Sequence, residues 1–320
     1  MTTTLTRTRI GLGLGMFDCK AFDAPEETGG GGGGGAGGYT IASWSQVGSD
    51  YTSSDTYATI QPLLGNQIAL FNRSADELLT LELSGTTLAS TGNAVTISDS
   101  DNNDGMVKIA DDKVVFLDNA SDGMAVYSWD GTDWSLDYTQ ASVFTFGSYP
   151  CGSYGQEENV FYVCSLGQNT IQKVTYTGSG FTVDGSPVTI DSGSQSMLAC
   201  LEAGLIAVHN SNTDQIKMYD YASGSQVGNT YTIPGATTGS LGMDRLADDK
   251  LIYWIDDDIQ VLKWDGTDFT TEGSAVPFDA VSWPRSLAVF EGTLDSASPK
   301  IAGHCYGLGG AIKVFEATTS

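Results

Sequence analysis

A short apolar run recurs at a nearly constant interval along most of this chain. Its first five copies begin 46, 46, 45 and 46 residues apart. They are IALF (68–71), VVFL (114–117), VFYV (160–163), LIAV (205–208) and LIYW (251–254), and a sixth copy, KIAGH (300–304), follows after a slightly longer gap. Regular self-similarity at this period is typical of proteins that repeat one small supersecondary unit.

The segments around each run keep the same phase and indicate four short strands per repeat. A second apolar run follows the first, then a turn signal of the Asp-Gly, Thr-Gly or Ser-Gly type, and then a third run. Each repeat opens with small residues, such as those at 105–107 and 196–199, which suit an innermost strand where the units converge on an axis. Six such units predict an all-β fold, a six-bladed β-propeller with four-stranded blades.

Two longer motifs are repeated without change. The motif WDGTD at 129–133 returns at 264–268, and ADDK at 110–113 returns at 247–250. Each pair lies three repeats apart, so the copies occupy equivalent positions in two blades. We interpret both motifs as hairpin turns, with ligand binding as the alternative.

The sixth repeat lacks an outer strand, because it ends with the run IKVF (312–315). Residues 39–47 match the missing strand. They begin Tyr-Thr-Ile, which resembles the Phe-Thr-Val at 181–183 and the Phe-Thr-Thr at 269–271 in the corresponding runs of two other repeats. We therefore expect the N-terminal strand to complete the last blade, closing the ring and leaving no open edge for another chain. This assigns residues 39–320 to the propeller.

One repeat resembles a known type of propeller repeat. The strand LIYWID (251–256), followed by VLKWDG (261–266), resembles the YWTD repeat of six-bladed receptor propellers, with Ile255 in place of the usual Thr. The resemblance supports a count of six blades. It also implies an interaction surface, which is an analogy at the level of the fold.

A separate N-terminal segment precedes the propeller. Residues 29–38 are glycine except for Ala36, a composition typical of flexible tethers. Residues 1–28 form a predicted extended arm in which apolar residues alternate with glycine, so that a strand would place them on one face. Such a strand could add to the sheet edge of a partner protein, and the residues expected to anchor it are Ile10, Leu12, Leu14, Met16 and Phe17.

The net charge of −25, from 39 acidic and 14 basic residues, restricts the partners of the chain. Nucleic acid needs a basic surface and anionic membranes repel a negative protein, so we expect neither partner. None of the five cysteines has the spacing of metal ligands, and we interpret them as small buried residues. Cys151 and Cys164 could alternatively meet across adjacent strands as a disulfide.

Catalytic motifs are missing from the sequence, and we expect a protein that is not an enzyme and uses no cofactor. The two histidines, His209 and His304, fall in second-strand runs, where a core or inter-blade role is expected. The best metal candidate is a loop in which Asp99, Asp101 and Asn103 have the alternate spacing of a calcium loop. Its glycine comes one residue late and no glutamate occupies the twelfth position, so a solvated turn is favoured.

Three functional hypotheses follow. The arm and glycine linker resemble bacteriophage virion proteins in layout, which implies a non-enzymatic structural protein on the virion surface, decoration or fibre-like. Its expected partners are capsid or tail proteins at the arm and host glycan or surface protein at the propeller. We also expect no signal peptide. The alternative is a bacterial extracellular adhesion or binding propeller at the cell surface, and the third is a propeller lyase or glycosidase with acids and bases on the axial face.

Overall fold

A computed structural model describes residues 39–53, 58–97, 105–191, 195–235, 241–255, 258–277, 284–293, 296–305 and 309–320. These residues form six antiparallel sheets and one short 3₁₀ turn, Glu291–Thr293. None of them belongs to a helix long and apolar enough to cross a membrane. The predicted arm and linker lie outside the described residues.

The sheets are arranged as blades of four strands. In chain order the strands are β1 (Ile41–Gln46), β2 (Tyr51–Thr52), β3 (Ala58–Pro62), β4 (Gln67–Asn72), β5 (Glu77–Ser84), β6 (Thr87–Thr96), β7 (Gly105–Ala110), β8 (Lys113–Asp118), β9 (Gly123–Trp129), β10 (Trp134–Gln140), β11 (Ser148–Tyr154), β12 (Val160–Leu166) and β13 (Thr170–Tyr176). They continue with β14 (Phe181–Thr189), β15 (Gln195–Glu202), β16 (Leu205–Asn210), β17 (Gln215–Asp220), β18 (Ser225–Thr232), β19 (Leu241–Ala247), β20 (Lys250–Ile255), β21 (Asp258–Trp264), β22 (Phe269–Pro277), β23 (Pro284–Val289), β24 (Lys300–Cys305) and β25 (Ala311–Thr319). Blades 1 to 5 are the consecutive groups β3–β6, β7–β10, β11–β14, β15–β18 and β19–β22, and blade 6 consists of β23, β24, β25 and β1, with the short β2 also paired to β25.

The recurring apolar runs form the second strand of each blade, as the sequence predicts. In β4, all four residues at 68–71 are fully shielded from solvent. Both faces of a second strand are covered, one by each neighbouring blade, so the strand is continuously apolar instead of alternating. The buried apolar residues of the described part accordingly gather in clusters, each shared by the facing sides of two adjacent blades.

The N-terminal strand closes the ring. Strand β1 pairs antiparallel with β25, from Ile41 opposite Thr319 to Gln46 opposite Phe315. On the inner side, the first strands β3, β7, β11, β15, β19 and β23 each contact the next, and β23 contacts β3. The prediction of a six-bladed propeller completed by its N-terminal strand is therefore confirmed. Strand β1 is the outermost strand of blade 6.

Candidate functional site

A small pocket lies where the six inner strands converge. Residues from every inner strand line it, and Glu291 joins them from the turn after β23. Its volume is about 50 Å³, far below the roughly 300–1,000 Å³ typical of small-molecule sites. This volume has room for an ion or a few water molecules. Its polar side chains are Gln61, Lys108, Ser153, Tyr154, Gln156, Asp244, Arg245 and Glu291.

Lys108 is a buried cation of this pocket, with a side chain only 1% exposed. Its Nζ lies 2.8 Å from Oε1 of Glu291 and 3.1 Å from Oδ1 of Asp111, and 5.3 Å from the centre of the Tyr154 ring. Burial raises the pKa of Tyr154, and the negative charges of Asp111 and Glu291 add to the effect. The Lys108 ammonium of blade 2 is therefore held by two carboxylates. Asp111 belongs to the same blade, and Glu291 belongs to the turn that follows the inner strand of blade 6.

Asp244 is the acidic side chain of the pocket with the most altered titration. Burial raises its pKa to about 7, and the charge of Glu291 contributes. Oδ2 accepts the N–H of Val289 and Oδ1 accepts the N–H of Arg245, each at 2.8 Å, and both bonds oppose the rise. A carboxyl that titrates near neutral pH has the acidity of a general acid or base, but here both oxygens accept main-chain bonds, one of them from the next blade.

Other side chains near the axis connect neighbouring blades in the same way. Adjacent inner strands belong to different sheets, so their main-chain groups need side-chain partners. Gln61 Oε1 accepts the N–H of Lys108 at 3.2 Å, Ser153 Oγ accepts that of Cys200 at 2.9 Å, and Ser286 Oγ accepts that of Ile60 at 3.1 Å. Much of the polar chemistry of the pocket therefore stabilises the ring.

Both histidines lie in second strands, as the sequence predicts, and neither is among the residues that line the axial pocket. His209 lies in β16 and His304 in β24, and both are fully buried. Burial lowers the pKa of His209 to about 4, so its imidazole is neutral at neutral pH. The confirmed positions favour a core role over acid–base chemistry.

No group of three His, Cys, Asp or Glu side chains within the described ranges is arranged to hold a metal ion. The weak calcium candidate, Asp99, Asp101 and Asn103, falls in the gap between residues 97 and 105 and lies outside the described residues. The arm residues Ile10, Leu12, Leu14, Met16 and Phe17 lie outside them too. Both assignments therefore stay predictions.

The repeated WDGTD motifs are hairpin turns between the third and fourth strands of blades 2 and 5, as predicted. In the second copy, Asp265 Oδ1 accepts the N–H groups of Thr267 and Asp268 at 2.8 and 2.7 Å, and these bonds lower the pKa of Asp265. The ADDK turn of the same blade contributes the carbonyl of Asp249, which accepts the N–H of Trp264 at 2.7 Å. The two motifs therefore recur together because they contact each other.

Each WDGTD turn also receives the outer strand of the preceding blade, a contact that the sequence analysis missed. At the second copy, the N–H of Asn229 donates to the carbonyl of Thr267 at 2.9 Å and its Nδ2 donates to Asp268 Oδ1 at 2.6 Å. Gly228 has φ +65°, and a Cβ on it would lie 1.8 Å from the Thr267 carbonyl oxygen. Gly92 and Asn93 make the same contacts with residues 132 and 133. The sequence signal for this contact is a Gly-Asn pair that precedes each WDGTD motif, at 92–93 and at 228–229.

A different contact joins blade 5 to the closing strand of blade 6. The buried Lys250 and Glu272 form an ion pair at 2.8 Å, with side chains 6% and 9% exposed. Glu272 Oε1 also accepts the N–H of Ile41 at 2.9 Å, while Lys250 Nζ donates to the carbonyl of Tyr39 at 2.5 Å and lies 4.4 Å from the centre of its ring. The ion pair therefore binds the first residues of the ring directly.

Comparisons with known proteins bear on the fold alone. No family model matches the chain, and no curated protein matches it significantly. A solved structure of a streptogramin B lyase is similar, with 11% sequence identity, a TM-score of 0.55, and coverage of 87% of this chain and 98% of that chain. At this identity, the likeness supports the propeller architecture and transfers no activity.

Proposed function

We propose that this chain is a non-enzymatic structural protein of a bacteriophage particle, displayed on the virion surface. In this proposal residues 1–28 bind other virion proteins of the capsid or tail, residues 29–38 act as a tether, and the propeller faces outward. Host glycan or a host surface protein is a further proposed partner of the propeller.

The observation that carries the proposal is the way in which the tethered end is built into the ring. The polyglycine run leads directly into Tyr39 and β1, and β1 is the outermost strand of blade 6. Tyr39 and Ile41 are held by the buried pair of Lys250 and Glu272 on the neighbouring blade. A domain whose first strand is held by a buried contact can bear a pull on its tether.

The axial pocket supports a role without catalysis. Its volume is small, and Asp244, Gln61 and Ser153 each accept a main-chain N–H of the adjacent blade. A catalytic acid or base needs to reach a substrate proton, and these groups are already committed to the ring.

Deletion of the arm tests the proposal. Particles are produced with the structural genes that neighbour this one, and the gene encodes either the full chain or a chain that lacks residues 1–28. We expect the truncated chain to stay a folded, soluble propeller and its amount per purified particle, measured by quantitative mass spectrometry, to fall at least tenfold. Removal of glycines 30–34 alone is the control for shortening the chain and should leave incorporation within a factor of two.

Two results would overturn the proposal. Equal incorporation with and without residues 1–28 would show that the arm is not the anchor. A full-length chain that is absent from particles and accumulates on the surface of the producing bacterium would favour the adhesion propeller instead.

A further inference from the structure

Blade 3 contains two cysteines that face each other across neighbouring strands. Cys151 of β11 is the direct partner of Cys164 of β12 in the antiparallel ladder. Their Sγ atoms lie 3.0 Å apart, and both thiols are free. Directly opposed residues have Cβ atoms about 4.5–5.5 Å apart, close to the separation that a disulfide spans. Small side-chain and strand adjustments would therefore bring the sulfurs to bonding distance.

The two thiols differ in their access to solvent. Cys151 is partly exposed, whereas Cys164 is fully buried. Cys200, on the inner strand of blade 4, is also buried and directs its Sγ at the carbonyl of Glu202, 3.0 Å away. A dissolved reagent can therefore reach Cys151 before Cys164 or Cys200, and Cys164 is the thiol placed to react with the mixed disulfide that forms on Cys151.

We propose that Cys151 and Cys164 are a redox modification site, a thiol pair that a low-molecular-weight disulfide converts into a cross-strand disulfide within the folded propeller. In the first step, Cys151 Sγ attacks one sulfur of the small disulfide. A mixed disulfide forms on Cys151, the sulfur–sulfur bond of the reagent breaks, and one small thiol leaves with the proton from Cys151.

In the second step, Cys164 Sγ attacks Cys151 Sγ. The Cys151–Cys164 bond forms, the mixed disulfide breaks, and the second small thiol leaves with the proton from Cys164. The reaction oxidises two protein thiols and reduces one small disulfide to two thiols. Contact with Cys151 and burial both raise the pKa of Cys164, which slows this step because the thiolate is the attacking species, while the 3.0 Å separation of the two sulfurs favours it.

The cross-link would join the inner and second strands of blade 3. It would close the hairpin loop that contains Glu157 and Glu158, so the unfolded chain would lose conformational freedom. The expected change is a rise of about 5 °C in the midpoint of thermal unfolding. The shift should reverse on reduction with dithiothreitol.

Peptide mapping of the full-length protein tests the proposal. The folded protein is incubated with oxidised glutathione, its remaining thiols are blocked, and it is digested without reduction by trypsin and a glutamate-specific protease. Cleavage at Glu157 and Glu158 separates Cys151 from Cys164, and cleavage at Lys173 separates Cys164 from Cys200. We expect one linked pair, the Cys151 and Cys164 peptides, lighter than the two free peptides by two hydrogen atoms.

Cysteine replacements distinguish the two steps. C164S should stop at the mixed disulfide and retain glutathione on Cys151, whereas C151S should leave Cys164 unmodified while the fold persists. C200S is the matched control, a buried cysteine of the adjacent blade, and should give the same linked pair as the unaltered chain.

Three outcomes would overturn the inference, and they can be read in the unaltered chain whether or not the variants fold. These are no reaction at Cys151, accumulation of glutathione on Cys151 without the linkage, and linkage of Cys151 to Cys200.

Discussion

We call the contact between the outer strand of one blade and the next blade a joint. The joint between blades 4 and 5 (the regular joint) and the joint between blades 5 and 6 (the closing joint) both hold two neighbouring blades together, but they use different side chains. Both begin with a glycine at positive φ in the outer strand, Gly228 in the first joint and Gly273 in the second, packed against a carbonyl of the next blade. In the first joint, an exposed Asn229–Asp268 hydrogen bond completes the contact. In the second, the buried pair of Lys250 and Glu272 does so.

The difference follows from how the receiving strand is connected. In blade 5, the outer strand β22 continues from β21 through a hairpin turn, so it is held in place by its own chain. In blade 6, the outer strand β1 comes from the other end of the chain and has no turn to fix it. Closing so long a loop costs conformational entropy, and the buried ion pair with its bond to Ile41 offsets part of that cost.

Breaking the closing joint should lower the free energy of unfolding most. E272A would leave the Lys250 ammonium buried without its carboxylate and Ile41 without an acceptor, so we expect a loss of about 3–5 kcal/mol of unfolding free energy. Urea titration followed by tryptophan fluorescence measures it. The double variant K250M/E272L is the control, because it buries no unpaired charge and should lose less than half as much. A loss below about 1 kcal/mol in E272A would contradict the assigned role.

The glycine of the regular joint should have the next largest effect. G228A places a Cβ against the Thr267 carbonyl at φ +65°, and we expect a loss of about 3 kcal/mol from strain and overlap together. Gly224 has nearly the same φ, +67°, with nothing within 4 Å of an added Cβ, so G224A should lose only about 1 kcal/mol. Chemical denaturation of both variants provides the comparison. Equal losses would mean that the joint contributes nothing beyond backbone strain.

The closing joint also has a contact near the axis, where Asp244 accepts the N–H of Val289. Its folded pKa, about 7, lies above the unfolded value of about 3.9, so the folded state binds the extra proton between these values. This carboxyl therefore makes stability fall as pH rises from about 4 to about 7, by at most about 1.4 kcal/mol per pH unit. D244N should have a shallower decline in denaturation curves across that range. D248N, in the same blade, is the charge-matched control, and equally steep curves for D244N and the unaltered chain would contradict the raised pKa of Asp244.

Loss of the exposed Asn229–Asp268 hydrogen bond in the regular joint should change the free energy of unfolding least. N229A removes the bond to Asp268 but leaves the main-chain bond to Thr267, so we expect a loss of about 0.5–1 kcal/mol. N93A, at the equivalent joint between blades 1 and 2, should behave alike, because its contacts are the same. Differential scanning calorimetry of the two variants tests the equivalence. A loss as large as that of E272A would mean that the two kinds of joint do not differ.

The blade count and the ring closure could be predicted because their signals are local or periodic. The run at 68–71 recurs with a fixed interval, and residues 39–41 share the Tyr/Phe-Thr pattern of other outer strands. The joints at the WDGTD motifs had a periodic signal in the Gly-Asn pairs at 92–93 and 228–229, but the pairs do not indicate that Asn229 bonds to Asp268, 39 residues away. The axial pocket had no such signal. A single polar residue such as Gln61, which contacts Lys108 of the next blade, has no repeat that would indicate its partner.

Closure of the propeller by its N-terminal strand can be tested by shortening the chain on either side of β1. Residues 39–320 retain β1 together with Tyr39 and Ile41, whereas residues 47–320 lack the strand. We predict that the first form unfolds cooperatively with the free energy of the full chain, and that the second loses cooperative unfolding or most of its stability. Equal stability of the two shortened forms, measured by urea denaturation, would contradict closure of the propeller by its N-terminal strand.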